Sequence, residues 1–518
     1  MDHDVIVIGG GHNGLICAAY LAREGLDVVV LEARQTVGGC ASTVSALGAR
    51  VNICNCDHVL TRGTPVAEEL DLAAHGLRYV DLDPYLLAMQ WNGGTPWFNF
   101  FDVDRTLESL AQSHPSEVDA YRSYLEAALP VARLLMAVTQ TVPTPRRVIR
   151  KVLDRSSLGV RTLLRWSRMS VAEVLGSFFS AEALVSPAVA LGPAVWGLSP
   201  YTPRSGLGAL TYAIRHLIPA GRPIGGSGSL PTAAAAAVEA AGSRVRCEAR
   251  VATIRVEGRR VRGVRLTDGE MIEAPVVISA VDPRTTLVSW LDDPPPRARS
   301  LVTRWRSRIP PMGYESKVDA VVAGVPHYRV LDSIDLDRHG VTDPLLPTAI
   351  IAPSLDGMAA AHALIDEGRV ADEPLLYVNV PSVPDPTLQV AGADGGHVFS
   401  MEVLFTPYEL EGGWPGSPEP QRWLDRYCGL VDPEFAGGIR RTRAMTPIDY
   451  ESEFGLARGY APSFTGTPMA ALLGRQRELT RYRTPIRGLY LTGAGTYPGA
   501  GVWGASGRNT AHVVLGER

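Results

Sequence analysis

The chain has 518 residues, 46% hydrophobic and 20% charged, with 50 Lys and Arg against 54 Asp and Glu. That length allows two or more domains, and the composition is that of a globular protein. A net charge of −4 and a pI near 6.3 give no support for nucleic-acid binding. Six scattered cysteines make no disulfide framework, so a reduced, cytoplasmic compartment is expected. No apolar run reaches the roughly 20 residues of a spanning helix. The nearest, 183–198, is interrupted by Pro187 and Pro193. The first strand starts at Asp4 with no basic segment before it, so no leader is expected.

Reading from the start, DVIVI (4–8) is a short apolar run of the kind buried in a parallel sheet. Gly9, Gly11 and Gly14 follow with G-x-G-x-x-G spacing. One glycine permits the tight turn, one lets the backbone approach a pyrophosphate, and one lets helix and strand pack closely. LICAAYLAREG then reads as a helix whose N-terminus aims free N–H groups at phosphate. A second apolar strand, 28–31, ends at Glu32. A carboxylate about 20 residues beyond the glycines suits ribose hydroxyls and disfavours a 2′-phosphate. Arg34 and the pair Gly38–Gly39 extend the pattern beyond what a plain NAD dehydrogenase needs. Cys54, Cys56 and His58 have C-x-C-x-H spacing without a second ligand pair, so no metal is expected. No C-x-x-C pair is present for disulfide chemistry.

After Asp57 the pattern becomes helical, with long stretches over 106–138 and 171–191. Between them, the stretch from Arg146 to Arg168 carries eight basic residues and one acid, Asp154. Val148, Ile149, Val152 and Leu153 recur at helical spacing opposite Arg147, Arg150, Lys151 and Arg155. This suits a peripheral membrane contact that admits a lipophilic substrate, and equally a solvated cap face or a contact between copies of the chain. Residues 221–283 return to nucleotide-fold character. A Gly-rich lead-in and the alanine helix PTAAAAAVEAAG are followed by strands joined by tight turns, with Asp268–Gly269 as a hairpin signal. From 283 to 485 the sequence is mixed, with strand-like LLYVNVPSV and HVFSMEVLF. The reading is an α/β chain. A discontinuous, Rossmann-like, two-dinucleotide-binding FAD domain takes residues 1–60, 221–285 and 485–518. An α+β substrate or cap domain takes 61–220 and 286–484. A small-molecule substrate is expected where the two meet.

The chain closes on LYLTGAGTYPGAGVWGASGRNTA, with four glycines from Gly493 to Gly501 that let backbone approach a flat ligand. A helix starting near Gly504 would point its positive end at a flavin ring, with Val502 and Trp503 at the turn. Trp196 and Trp503 are expected as pocket walls. Four segments now carry a resemblance: IGGGHNGLICAAYLAREGLDVVVLEAR, SPYTPRSG, GGSGSL with the strands after it, and GAGTYPGAGVWGASGRNTA. The chain resembles the phytoene desaturase-related flavoproteins. Within them it is most similar to the branch of pyridine nucleotide-disulfide oxidoreductase domain-containing protein 2 and the flavin-type carotenoid ketolases. It departs from many relatives at Cys40, where they have arginine, and at Tyr497, where they often have histidine.

The resemblance implies non-covalent FAD held by Gly9, Gly11, Asn13, Gly14, Glu32, Arg34, Gly38, Gly39, Val251, Gly493, Gly495, Val502 and Trp503. It implies hydride transfer between a substrate C–H and the flavin, on a lipophilic or polyene-like molecule. Asp57, His58 and Tyr497 are candidates for proton handling, and His58 and Asp57 read equally well as ordinary hydrogen-bonding loop residues. A flavin amine oxidase is the alternative enzyme. A prenyl-binding chaperone on the same fold is the alternative outside enzymes, and the intact glycine–Glu32 pattern argues against it.

Overall fold

The computed structural model describes residues 2–54, 57–144, 157–291, 293–309, 313, 315–390, 395–460 and 474–517. Residues 146–156 of the basic stretch and Cys56 lie outside the described residues. Residues 157–168 contribute helix Ser157–Trp166. Among the described residues, no helix is long and apolar enough to cross a membrane.

Short apolar runs build a five-stranded parallel sheet. Its strand order is Leu489–Leu491, Val276–Ser279, Val5–Ile8, Val28–Leu31, Arg244–Arg246. Strands with residues of one kind on both faces must be covered on both faces. Val5 and Val7 point with Val28 and Val30 into one layer, against Leu15, Ala18 and Leu230 of the helices His12–Arg23 and Ser229–Ala240. Ile6 and Ile8 point the other way, into a layer with Val264, Leu301 and Trp305. That second layer comes from an antiparallel sheet of Val251–Glu257, Arg260–Leu266 and Met271–Glu273, and from helix Pro296–Arg306. Gly269 takes a φ of 95° in the turn where Asp268–Gly269 signalled a hairpin. The sheet thus gathers chain from the beginning, the middle and the end of the sequence.

A seven-stranded sheet forms the second body. Its order is Ile439–Met445, Glu315–Val322, His397–Leu404, Leu376–Asn379, Thr348–Ala352, Leu86–Gln90, Trp97–Asn99. All its pairings are antiparallel except that of Thr348–Ala352 with Leu86–Gln90. Both stretches read as strand-like in the sequence lie in it. One face is apolar: Val318, Ala320, Phe399, Met401 and Val378 pack on Trp423 and Tyr427 of helix Glu419–Cys428. The opposite face carries Glu315, Lys317 and Asp319 on one strand and Ser400 and Glu402 on the next. Helices Val103–Ser113, Val118–Thr139, Val171–Gly176 and Glu182–Leu191 pack around Trp97, Tyr121, Tyr124 and Tyr212. The long helical stretches expected over 106–138 and 171–191 are therefore each divided. Asp102 caps the first piece by accepting from the Arg105 N–H, and Ser170 with Glu173 forms a capping box on the third.

Candidate active site

The opening loop is a cradle of backbone. Gly9 has a φ of 100°, and a Cβ on Gly14 would lie 2.2 Å from the Gly9 carbonyl oxygen. Helix and turn approach so closely that only glycine fits. A Cβ on Gly11 would meet nothing within 4 Å, so the loop opens there onto free space. Helix His12–Arg23 starts at that point with no side-chain cap and no acid in its first turn. Its N–H groups and positive dipole end are left for an anion. The second glycine pair closes the side of the cradle: Gly38 N–H donates to the Gly10 carbonyl at 2.8 Å, and a Cβ on Gly39 would stand 3.4 Å from Gly11 Cα. These residues fit a pyrophosphate.

Glu32 is 7% exposed at the end of its strand. Its carboxylate accepts from Gly10 N–H at 2.7 Å and Arg34 N–H at 2.9 Å. It braces the loop while keeping lone pairs for a hydroxyl. The Arg34 guanidinium donates to Ser42 Oγ at 3.2 Å and lies 4.3 Å above the Phe454 ring. Val251 is buried in the apolar layer below the sheet, next to Ala249, whose N–H donates to the Glu32 carbonyl at 2.8 Å. Cys40 hydrogen-bonds the Cys54 thiol, and that bond together with burial pushes the Cys54 thiol up. It is held as a thiol, not as a reactive thiolate.

The closing loop docks onto the opening helix. Gly493 has a φ of 94°, and its N–H donates to Ser506 Oγ at 3.0 Å; the same hydroxyl pairs with Thr496 at 2.6 Å. Gly495 is buried in the same turn. Helix Ala505–Leu515 begins at Gly504, again without a side-chain cap or an acid in its first turn. A Cβ on Gly507 would lie 2.3 Å from the Asn13 carbonyl, and Gly507 N–H donates to Asn13 Oδ1 at 3.3 Å. The two ends of the chain thus pack helix on helix, and neither N-terminus carries a side-chain cap from its own N-cap residue. Val502 and Trp503 are buried at the turn, where the Val502 carbonyl accepts from Thr61 Oγ1 and Trp503 Nε1 donates to Ala500 at 2.8 Å. Trp196 is 43% exposed, which corrects its expected place at a pocket wall. It closes a short 3-10 turn, Pro193–Trp196, that ends at the surface.

The proton-handling candidates fall in three different settings. His58 is fully buried; Nδ1 pairs with Tyr79 Oη at 3.1 Å and Nε2 with Ser227 Oγ at 2.9 Å. Burial pushes its pKa down to about 3, so it is a neutral bridge at ordinary pH. Asp57 accepts from Arg222 Nε at 2.8 Å and from Thr348 Oγ1 at 2.5 Å. Tyr497 is 4% exposed against Leu134 and Val138 of a cap helix, and burial raises its phenol well above the usual range. The structure brings Asp57 and His58 together on one segment and sets Tyr497 on another wall.

The sequence reading missed the charged face of the seven-stranded sheet. Lys317 is wholly buried, 2.9 Å from Asp319 and donating to the Asn52 carbonyl beside the cofactor cradle. Asp319 also binds Arg443 at 2.6 Å. Glu402 stands opposite Lys317 in register, and Tyr377 opposite Glu402. Burial among acids holds the Glu402 carboxyl up to about 8. A period-two alternation of charges over 315–319 was the available signal, and it reads as a solvent face. Arg508 was missed as well: it grips Glu69 with two nitrogens, at 2.6 and 2.7 Å, and the Gln140 carbonyl at 3.1 Å. It ties the closing helix to the cap.

A glycine cradle with two uncapped helix ends, fed by both termini, is a site for a long dinucleotide. Residues 14–310, more than half of the chain, match the family described as flavin containing amine oxidoreductase. The chain belongs to that family. It is an FAD-dependent oxidoreductase, related over its whole length to phytoene desaturases. It is 28% identical to pyridine nucleotide-disulfide oxidoreductase domain-containing protein 2 of Rattus norvegicus, covering 99% of this chain and 93% of that one. It is 25% identical to one component chain of the limonene dehydrogenase of Castellaniella defragrans, covering 99% and 94%. It is 24% identical to a lycopene-forming phytoene desaturase of Paracoccus sp., covering 99% and 97%. Among solved structures, cyclohexylamine oxidase from Brevibacterium oxydans superposes with a TM-score of 0.59 at 16% identity over all of both chains. An oxidoreductase from Methanosarcina mazei does so with 0.60 at 17%, over 99% of this chain and 100% of that one. These two bear on the fold alone.

Proposed function

We propose that this enzyme oxidises or reduces a C–H bond of a lipophilic, polyene-like small molecule. Non-covalent FAD supplies hydride acceptance or donation when bound. The observation that carries this reading is the full-length similarity to proteins named phytoene desaturase and limonene dehydrogenase. The chain's own residues position and shield. Gly9, Gly11, Gly14, Gly38 and Gly39 would hold the pyrophosphate through backbone, with Glu32 bracing the loop and offering its carboxylate to the ribose. Asn13 and Gly507 lock the opening helix to the closing one, and Gly493, Gly495, Val502 and Trp503 shape the wall beside the ring. Arg34 and Val251 frame the adenosine end.

His58 and Tyr497 serve in this reading as fixed walls, since one has both ring nitrogens engaged and the other a phenol that burial keeps protonated. Asp57 is the positioning group, orienting Arg222 and Thr348 at the cap. A second reading, amine oxidation, is favoured by the family match itself. Anaerobic mixing separates the two. Bleaching of the flavin band by terpenoids or polyenes, with none by aliphatic amines, is expected; bleaching by amines alone would replace the first reading with the second.

A further inference from the structure

Resting on the reading of a lipophilic substrate, we propose that Arg215 anchors an organic carboxylate on that substrate. The substrate class is then a lipophilic acid, not a plain hydrocarbon and not an amine.

Arg215 ends the short helix Thr211–Arg215, and its guanidinium lies 5.0 Å from the centre of the Tyr85 ring. Its side chain is only partly exposed, and desolvation by the surrounding protein lowers its pKa below the ordinary arginine value. The groups whose charge it feels are Tyr85, Asp57 and Tyr377. None of them makes a hydrogen bond or an ion pair with it. Asp57 has one oxygen on Arg222 Nε and the other on Thr348 Oγ1. Tyr377 donates its hydroxyl proton to the Ala190 carbonyl at 2.5 Å. Glu402, in register beside Tyr377, has its carboxyl held up to about 8 by burial. Arg215 makes no hydrogen bond and no ion pair with any described residue.

A buried guanidinium without an anion is a costly arrangement unless a ligand completes it. A second observation points the same way. The Tyr85 side chain is almost fully buried, at 4% exposure, and its hydroxyl has no hydrogen-bond partner among the described residues. An arginine fork matches a carboxylate with two parallel N–H···O bonds, which a hydrocarbon cannot use and an ammonium would oppose. The segment from Asp57 runs on to Thr61, which is bonded to the Val502 carbonyl in the closing loop. The same segment thus touches both the anchor's surroundings and the turn beside the ring. Tyr85 belongs to an apolar cluster with Val59, Ile350 and Leu404. That suits a greasy body ending in one acid.

The test uses the flavin-loaded enzyme and three probes of equal chain length: decanoate, decanol and decylamine. Each is titrated while the visible flavin spectrum is followed. Decanoate is expected to bind about tenfold or more tighter than decanol, and decylamine most weakly. Arg215→Gln is expected to lose about tenfold for decanoate while decanol changes less than about twofold, with Arg215→Lys between them. Should Arg215→Gln fail to fold, Tyr85→Phe and the three probes on the parent carry the test, with a smaller loss expected for decanoate alone. Equal binding of decanoate and decanol to the parent, tighter binding of decylamine, or unchanged decanoate binding in Arg215→Gln would overturn the proposal. Flavin bleaching by an uncharged polyene without decanoate binding would refute the acid and leave the lipophilic reading standing. Decanoate binding with bleaching only by amines would refute the lipophilic oxidation itself.

Discussion

Strands Val5–Ile8 and Glu315–Val322 are both buried along their whole length, and they bury different things. The first is VIVI, apolar on both faces, between two apolar layers. The second is ESKVDAVV, with Glu315, Lys317 and Asp319 on one face. Burying an apolar side chain stabilises by about 1.5–3 kcal/mol. Burying a charge is unfavourable unless partners surround it. The first strand is scaffold, and the cofactor cradle above it uses backbone. The second gives up apolar packing on one face for a buried network of charged side chains, Lys317, Asp319 and Arg443.

Substitutions can break this contrast. The largest effect is expected in the cradle. Gly14→Val drives a side chain into the Gly9 carbonyl, and flavin content of the purified protein should fall more than about tenfold. Next is Lys317→Met, which leaves buried Asp319 with Arg443 and the Ser400 hydroxyl but without its lysine. Urea unfolding should show a loss of about 3–5 kcal/mol. Ile6→Val removes one methylene from the apolar strand and should cost about 0.5–1.5 kcal/mol by the same measurement. A result in which the two strands respond alike would remove the distinction between them.

A pH dependence sharpens it. The Glu402 carboxyl lies higher in the fold, at about 8, than in the unfolded chain, where it is an ordinary glutamate. Between the two values the fold binds a proton that the unfolded chain has released. Its contribution to stability is full below the unfolded value and is lost as pH rises through the folded one. Glu402→Gln should therefore flatten the decline of melting temperature between pH 5 and 8, and an unchanged slope would assign that decline to other groups.

The same contrast explains what could be read from the sequence. Apolar runs, glycine spacing and Glu32 give the parallel sheet and cradle directly, because local pattern and burial agree there. Two further strands of the parallel sheet, Arg244–Arg246 and Val276–Ser279, follow from the strand-like runs after GGSGSL. The charged sheet face does not follow, because alternation at 315–319 marks one polar face without saying whether water or protein covers it. Only the packing of Asn52, Asp57 and the cap over that face decides the matter. Arg215, Arg222 and Arg508 look like surface arginines for the same reason. For His58 and Tyr497 the engaged ring nitrogens and the buried phenol depend on Tyr79, Ser227 and the cap helix, far away in sequence.

The division of labour between backbone and side chains is tested most directly by measuring flavin content and anaerobic bleaching rate in the same preparations of Thr348→Val and Glu402→Gln. Flavin content equal to the parent's, with an altered rate of bleaching by a lipophilic substrate, is the expected result. Loss of flavin from these variants, or bleaching at the parent's rate, would contradict it.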